Sequence, residues 1–61
     1  MDEVAYARYM QRAKDADFIY KTIREIYGYE IPWKQAYYKA LKDKLLYPEE
    51  KKLVKEFHPI K

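Results

Sequence analysis

Residues that interrupt helices occur at only four positions of this chain: one glycine, Gly28, and three prolines, Pro32, Pro48 and Pro59. Proline lacks a backbone N–H and glycine adopts backbone angles that other residues avoid, so these positions mark where helices end or begin. The runs between them carry apolar residues at three- and four-residue spacing, without the alternation typical of strands. We therefore predict an all-α fold, a small bundle of three or four helices.

The N-terminal run is the longest. Asp2 and Glu3 stand at its front, where negative charge complements the helix dipole. Neither Gly nor Pro interrupts residues 2–27, so one helix could span them. Asp15 or Asp17 could equally cap a second helix, because aspartate is a preferred N-cap residue. The sequence leaves both possibilities open.

Two further helices are expected. Gly28 is predicted to end the N-terminal run in the left-handed conformation, with Tyr29 as the hydrophobic contact that follows. Pro32 is placed at the first helical position of a helix that runs to about Leu46. The last helix covers 48–57 and begins at a proline, because the residue before proline avoids helical angles.

We interpret residues 1–61 as one helical domain with a small core. A chain of this length buries only about 60% of the surface that it exposes when unfolded. With no cysteine, the core cannot be supplemented by disulfides or thiolate metal sites. The helical spacing predicts that the core consists of Ile19, Ile23, Ile26, Trp33, Tyr37, Leu41, Leu45, Leu53, Val54 and Phe57.

The residue types needed for catalysis are scarce. The chain has no serine or cysteine, and its one histidine, His58, is interpreted as a solvated residue at a helix end. A single glycine cannot build a phosphate-binding loop. We predict a protein that is not an enzyme, with no catalytic residue, metal or cofactor.

No apolar run approaches the roughly 20 residues that span a bilayer, and the acidic start does not resemble a signal peptide. A cytoplasmic location without membrane contact is therefore expected.

Eight tyrosines are more than so small a core can bury, and tyrosine is enriched at interfaces. Tyr38 projects among lysines in a chain of net charge +3. We define the basic face as Lys34, Gln35, Tyr38, Lys39 and Lys42. Interleaved lysine and aromatic side chains could contact nucleic-acid phosphates and bases or steer an acidic partner. The alternative is a solvated lysine surface.

A second candidate site lies on the N-terminal run. Tyr20, Ile23, Ile26 and Tyr27 have the spacing of sliding-clamp-binding peptides, in which a glutamine is followed by an aliphatic residue and two aromatics. The aliphatic position and one aromatic match, whereas the glutamine and the other aromatic do not. With few amides and many lysines and glutamates, a composition typical of hyperthermophiles, the chain resembles small archaeal inhibitors of the PCNA sliding clamp, of the Thermococcales type. The alternative is that these side chains are core.

The favoured interpretation is a small regulator that binds another protein and blocks its partner site. The resemblance implies that this partner is PCNA and that the affected process is DNA replication. The alternative is a DNA-binding protein like a helix-turn-helix, with residues 32–46 as the recognition helix. A homodimer is a further possibility, because Ala5, Ala13 and Ala16 would allow two N-terminal helices to approach closely.

Overall fold

A computed structural model describes residues 2–60 and contains three α-helices: α1 (Glu3–Tyr27), α2 (Trp33–Lys42) and α3 (Pro48–Phe57). No strand occurs in this range, so the predicted all-α fold class is confirmed. Helices α2 and α3 each pack against α1, and between residues 2 and 60 the two short helices do not approach each other closely. None of the three helices has the combination of length and apolar character needed to cross a bilayer.

Helix α1 is continuous, which settles the question left open by the sequence. The Val4 N–H donates to Asp2 Oδ1 at 3.0 Å and caps the first turn. Asp15 begins no second helix, because its Oδ1 accepts a hydrogen bond from Gln11 Nε2 at 3.0 Å across one helical turn. Ala16 between the two aspartates is fully buried. The second aspartate, Asp17, reaches across the fold to His58 instead of capping a helix.

Gly28 ends α1 in a different way from the prediction. Its φ is positive, at 99°, as predicted, but its ψ of 160° is extended and not left-handed helical. The Gly28 N–H still donates to the Arg24 carbonyl at 2.7 Å. The chain therefore leaves the helix in an extended direction, and Tyr29 is exposed instead of folding back as a hydrophobic contact.

Helix α2 is shorter than predicted. Pro32 is its N-cap and not its first helical residue, and the helix ends at Lys42, not near Leu46. The ending is a Schellman motif: Leu45 N–H donates to the Ala40 carbonyl at 2.9 Å, and Lys44 N–H donates to the Leu41 carbonyl at 3.1 Å. Lys44 takes the left-handed conformation that this motif requires, with φ of 59°. The predicted start of the last helix at Pro48 is confirmed.

Most of the buried core residues are small, and Ile23 and Tyr37 are the two larger ones. The buried hydrophobic residues are Ala16, Ile23, Ala36, Tyr37, Ala40 and Val54. The alanines of α2 let that helix lie close to Ile23 of α1. Ile26 and Leu45, both predicted to be core, are instead exposed by 55% and 46%. Ile26 lies on the flank of α1 beside Leu45, which follows the end of α2.

The molecule is elongated because α1 is much longer than its two neighbours. A helix of 25 residues is about 37 Å long, and the molecule measures 38 × 22 × 19 Å. Its radius of gyration is 12.5 Å, against about 10.5 Å for a compact domain of this length. Its accessible surface is 4994 Å², whereas a folded monomer of this mass typically exposes about 4250 Å². The chain thus leaves about 750 Å² more surface exposed than its size requires.

Candidate binding surfaces

An apolar groove runs along the outer flank of α1. Phe18, Thr22 and Ile26 follow one another at four-residue spacing along this flank, and the Schellman turn places Leu45 beside them. The groove encloses about 180 Å³, and its deeper wall is formed by Ile19, Ile23 and Leu46. We call it the α1 groove. Its outer edge presents Phe18, Ile26 and Leu45, which are exposed and do not belong to the buried core.

Phe18 is the most exposed large apolar side chain of the groove, at 74%. It also lines a second depression of about 300 Å³, formed with Asp15, Ile19, Glu50 and Leu53. The Phe18 ring therefore lies between two surface depressions and makes little contact with the rest of the protein. Large apolar side chains that are exposed together are a feature of protein interaction sites.

The polar groups at the groove are already engaged. Thr22 Oγ1 donates to the Phe18 carbonyl at 2.8 Å, so its hydroxyl is satisfied within α1. Glu50 Oε1 accepts a hydrogen bond from Tyr47 N–H at 2.9 Å and caps α3. Thr22 can therefore be covered by an apolar surface without leaving its hydroxyl unpaired. The charged carboxylate of Glu50 has to stay in water at the edge of such a contact.

The structure does not bring the four residues that resemble a clamp-binding peptide onto one exposed surface. Ile23 is 2% exposed and belongs to the core. Tyr20 is half-buried and stacks on the His58 ring, with ring centroids 4.2 Å apart. Ile26 alone of the four is exposed. Docking of all four side chains in a partner pocket would require α1 to separate from its neighbours.

Tyr27, the fourth of these residues, lies between α1 and the end of α2. Its hydroxyl donates to the Asp43 carboxylate and contacts the Lys39 carbonyl at 3.4 Å. This hydrogen bond stabilises the neutral phenol, and together with burial and the negative charge of Asp43 it raises the pKa of Tyr27 to about 12. The Tyr27 side chain therefore links α1 to the C-terminal end of α2 within the fold.

The basic face is exposed as a unit on α2. Lys34, Gln35, Tyr38, Lys39 and Lys42 are all exposed, and with Pro32 they line one shallow concavity of about 510 Å³. The opposite side of α2 carries Ala36, Tyr37 and Ala40, which are buried. The predicted grouping of the five side chains is therefore present in the structure.

The second helix of the predicted helix-turn-helix is shorter than expected. Five residues, 28–32, separate α1 from α2, and α2 has only ten residues. The basic face lies wholly within those ten residues. The proposed DNA-contacting side chains therefore all lie on α2. Residues 43–46, which were predicted to continue that helix, do not.

A cluster around Arg24 was not foreseen from the sequence. Arg24 is buried, and its guanidinium donates to the Tyr20 hydroxyl at 3.1 Å and the Ile31 carbonyl at 2.5 Å. It also lies 5.8 Å from the Trp33 ring. A cation near the C-terminal end of α1 is favoured by the helix dipole. The arginine therefore joins α1 to the turn and to α2.

His58 belongs to the same cluster and is half-buried, which corrects its interpretation as a solvated residue. Its carbonyl accepts a hydrogen bond from Trp33 Nε1 at 2.8 Å, and its Nε2 lies 2.7 Å from Asp17 Oδ1. These contacts could not be predicted from sequence spacing, because the partners lie 25 and 41 residues away along the chain. These contacts hold His58, the residue that follows α3, against Asp17 of α1 and Trp33 of α2.

Sequence reasoning also missed Phe18 and Leu45 as surface residues. The signal for Phe18 was its four-residue spacing to Thr22 and Ile26, a stripe distinct from the buried one through Ile23.

Searches against protein-family models, curated proteins and solved structures found no match to this chain.

Proposed function

We propose that the chain is a small, non-enzymatic regulator that binds another protein through the α1 groove and blocks its partner site. The observation that carries this proposal is Phe18, which is 74% exposed and lies between two depressions beside the exposed Ile26. Large apolar side chains exposed together are typical of interaction sites. In the monomer both side chains keep more than half of their surface in solvent.

The amount of exposed surface supports the same proposal. The excess of about 750 Å² over a typical monomer is close to the roughly 800 Å² that each partner buries in a standard interface. That excess is spread along the elongated molecule, and the exposed side chains of the α1 groove are one part of it. The lysines of the basic face would attract an acidic partner from a distance, because net positive charge steers association.

The test compares two glutamate substitutions on the same helix. Ile26 and Val4 are both β-branched residues of α1, exposed by 55% and 57%, and only Ile26 lines the groove. We expect that the Ile26→Glu variant no longer captures the partner from a lysate of the native organism. The substitution places a charge in the apolar contact, where its desolvation is costly. Val4→Glu should leave capture unchanged. Capture of the same proteins by both variants, identified by mass spectrometry after nuclease treatment, would refute the proposal.

PCNA is the specific partner to test, since the resemblance to clamp inhibitors rests on residues that include Ile26. Titration of the chain into purified archaeal PCNA, followed by calorimetry, should give binding that Ile26→Glu removes and Val4→Glu retains. The dissociation rate of an apolar contact should change little with salt, whereas the association rate should fall as salt screens the lysines. If PCNA does not bind, the clamp is excluded as partner while the lysate comparison still tests the groove.

DNA binding through the basic face is a second candidate, favoured by the grouping of all five side chains around one concavity. Three phosphate contacts predict a log–log salt slope of about −2.7, and stacking on Tyr38 would add about 1–3 kcal/mol per base. The decisive variant replaces Lys34, Lys39 and Lys42 by Glu. Its matched control makes the same charge change at three exposed lysines elsewhere, Lys21, Lys52 and Lys55. Equal loss of affinity in both triple variants would attribute binding to net charge and would remove the basic face as a site.

A further inference from the structure

We propose that the ligand of the basic face is an unpaired strand of nucleic acid, in which one base stacks on Tyr38 and the neighbouring phosphates contact the lysines around it. The inference rests on the second function proposed above, nucleic-acid binding by this face, and names the kind of strand that the face takes. The basic face shares no residue with the α1 groove, so the two surfaces are tested separately.

Lysine and aromatic side chains alternate along one row of α2. Lys34, Tyr38 and Lys42 stand four residues apart, and side chains at this spacing are neighbours on a helix surface. The two lysines are about 12 Å apart along the helix, with the tyrosine midway between them. Lys39 follows Tyr38 directly and adds a third cation beside the row. Surfaces that bind unpaired strands combine cations for the phosphates with rings for the bases in this way.

Tyr38 combines a contact to the core with an exposed ring. The ring centroids of Tyr37 and Tyr38 are 5.4 Å apart, and Tyr37 is buried in the core at 3% exposure. Tyr38 itself is 53% exposed. A ring that already rests against the core loses little conformational freedom when a base stacks on it, so more of the stacking energy appears as affinity.

The charges around Tyr38 on α2 are all positive. The ten residues of the helix include no Asp or Glu. The two ion pairs found between residues 2 and 60 involve other side chains, so the lysines of the basic face have no carboxylate partner in that range. The first acidic residue after the helix, Asp43, accepts a hydrogen bond from the Tyr27 hydroxyl. Phosphates can therefore contact the lysines without displacing a carboxylate.

An unpaired strand fits this face better than a duplex does. Bases inside a duplex are stacked on both sides, whereas an unpaired strand can turn a base out towards a ring. Helices that read a duplex place their N-terminal residues at the base edges of the major groove. The first residue of α2, Trp33, is instead half-buried and donates its Nε1 hydrogen to the His58 carbonyl at 2.8 Å. The start of α2 is thus tied into the fold, and the exposed Tyr38 ring lies near the middle of the helix.

The lining of the concavity favours a nucleic acid over an acidic protein segment. Pro32 and Tyr38 contribute rings, and the lysine stems add apolar surface around them while their ammonium groups stay in water. A nucleotide matches both parts, because its base has an apolar face and its phosphate is an anion. Carboxylates would engage the ammonium groups and leave the Tyr38 ring uncovered.

The first test compares three fluorescent probes by anisotropy, each about 12 nucleotides long, which is within the range that single-strand-binding domains cover. The probes are oligothymidine, the same strand without bases, and the duplex of oligothymidine with oligoadenosine. Oligothymidine should bind about 5- to 150-fold tighter than the strand without bases, because stacking on Tyr38 is lost in the latter. It should also bind tighter than the duplex, which carries twice the phosphates. Equal or tighter binding of either other probe would overturn the proposal.

The second test removes the ring. Tyr38→Ala should weaken oligothymidine binding by about 5- to 150-fold and leave binding of the strand without bases unchanged. The log–log salt slope should stay at about −2.1, as expected for three phosphate contacts on a single strand. Tyr38→Phe should retain the affinity, because the ring remains. An equal loss for both probes in Tyr38→Ala would contradict stacking.

The matched control is Tyr6→Ala. Tyr6 is 57% exposed, close to the value for Tyr38. It lies on α1 about 25 Å along the helix from Ile23, the residue that packs against α2. Tyr6→Ala should leave oligothymidine binding unchanged, and a loss equal to that of Tyr38→Ala would refute a specific role of Tyr38. Far-UV circular dichroism checks that each variant keeps its helices.

The outcomes separate this inference from the functions proposed above. Duplex binding that is tighter than oligothymidine binding, and that the triple lysine variant abolishes, would keep the basic face as a DNA site and overturn the unpaired strand. An oligoglutamate of equal charge that binds as tightly as oligothymidine would overturn it in favour of an acidic protein. Oligouridine serves as the RNA arm, and tighter binding of either strand supports the proposal and identifies the sugar. Tyr38→Ala should capture the same protein partner as wild type, so the α1 groove is judged by Ile26→Glu alone.

Discussion

Two isoleucines three residues apart on α1 offer the sharpest test of how the fold divides core from surface. Ile23 is 2% exposed and Ile26 is 55% exposed, although the sequence pattern places both in one stripe. Replacing isoleucine by alanine removes three carbon atoms, worth about 0.8 kcal/mol each when fully buried. Ile23→Ala should therefore lose about 2.4 kcal/mol of transfer free energy, and a residual cavity should raise the total to about 3–4 kcal/mol.

Ile26→Ala should be far milder. Less than half of the side chain is buried, so the transfer loss is about 1 kcal/mol, and the higher helix propensity of alanine returns a few tenths of a kcal/mol. The total free energy of unfolding for 61 residues is about 3–9 kcal/mol. Ile23→Ala should thus approach the limit of foldability, whereas Ile26→Ala should lose less than about 1 kcal/mol.

The assay is urea unfolding followed by circular dichroism and Trp33 fluorescence, at low micromolar concentration so that self-association contributes little. Equal losses for the two variants would show that Ile26 is packed internally, and the reasoning behind the α1 groove would fail.

Three further predictions concern the backbone and one phenol, and thermal or urea unfolding checks the first two. Gly28→Ala should destabilise by about 1–3 kcal/mol through backbone strain alone, because φ is 99° and no atom lies within 4 Å of an added Cβ; an unchanged midpoint would contradict that conformation. Lys44→Gly should stabilise by up to about 1 kcal/mol, because it relieves the positive φ at the end of α2; a loss would mean that the lysine side chain contributes more than the strain costs. The pKa of Tyr27 is raised in the fold from 10.0 to about 12, so its contribution to stability is complete below about pH 10 and is lost as pH rises towards 12. Melting temperatures across this range should fall more steeply for wild type than for Tyr27→Phe, and parallel curves would refute the role of the Asp43 hydrogen bond.

Much of the fold followed from local chemistry. Pro48 and Gly28 marked helix boundaries because their backbones restrict or permit particular angles, and these restrictions act without help from the rest of the chain. The basic face followed for a similar reason. Lys39 and its neighbours occupy the side of α2 opposite Ala36 and Ala40, and lysines remain in water wherever the helix packs.

Residues 15–17 and 43–46 show where local chemistry was insufficient. An aspartate in α1 can cap a helix or lie within one, and its choice depended on Ala16 being buried by tertiary packing. Lys44 gave no sign of a left-handed residue, because a Schellman ending by a lysine is uncommon and depends on the surrounding structure.

The sequence by itself determined that this chain is helical, where most of its helix boundaries lie, and that lysines and tyrosines crowd its surface. Tertiary structure alone decided which flank of α1 is covered. Two neighbours of ten residues each cannot surround a helix of 25 residues, so Ile23 is buried while Ile26 and Phe18 stay exposed. Helical periodicity predicts which side chains share one face of a helix. The lengths and positions of the helices packed against it determine which face is buried.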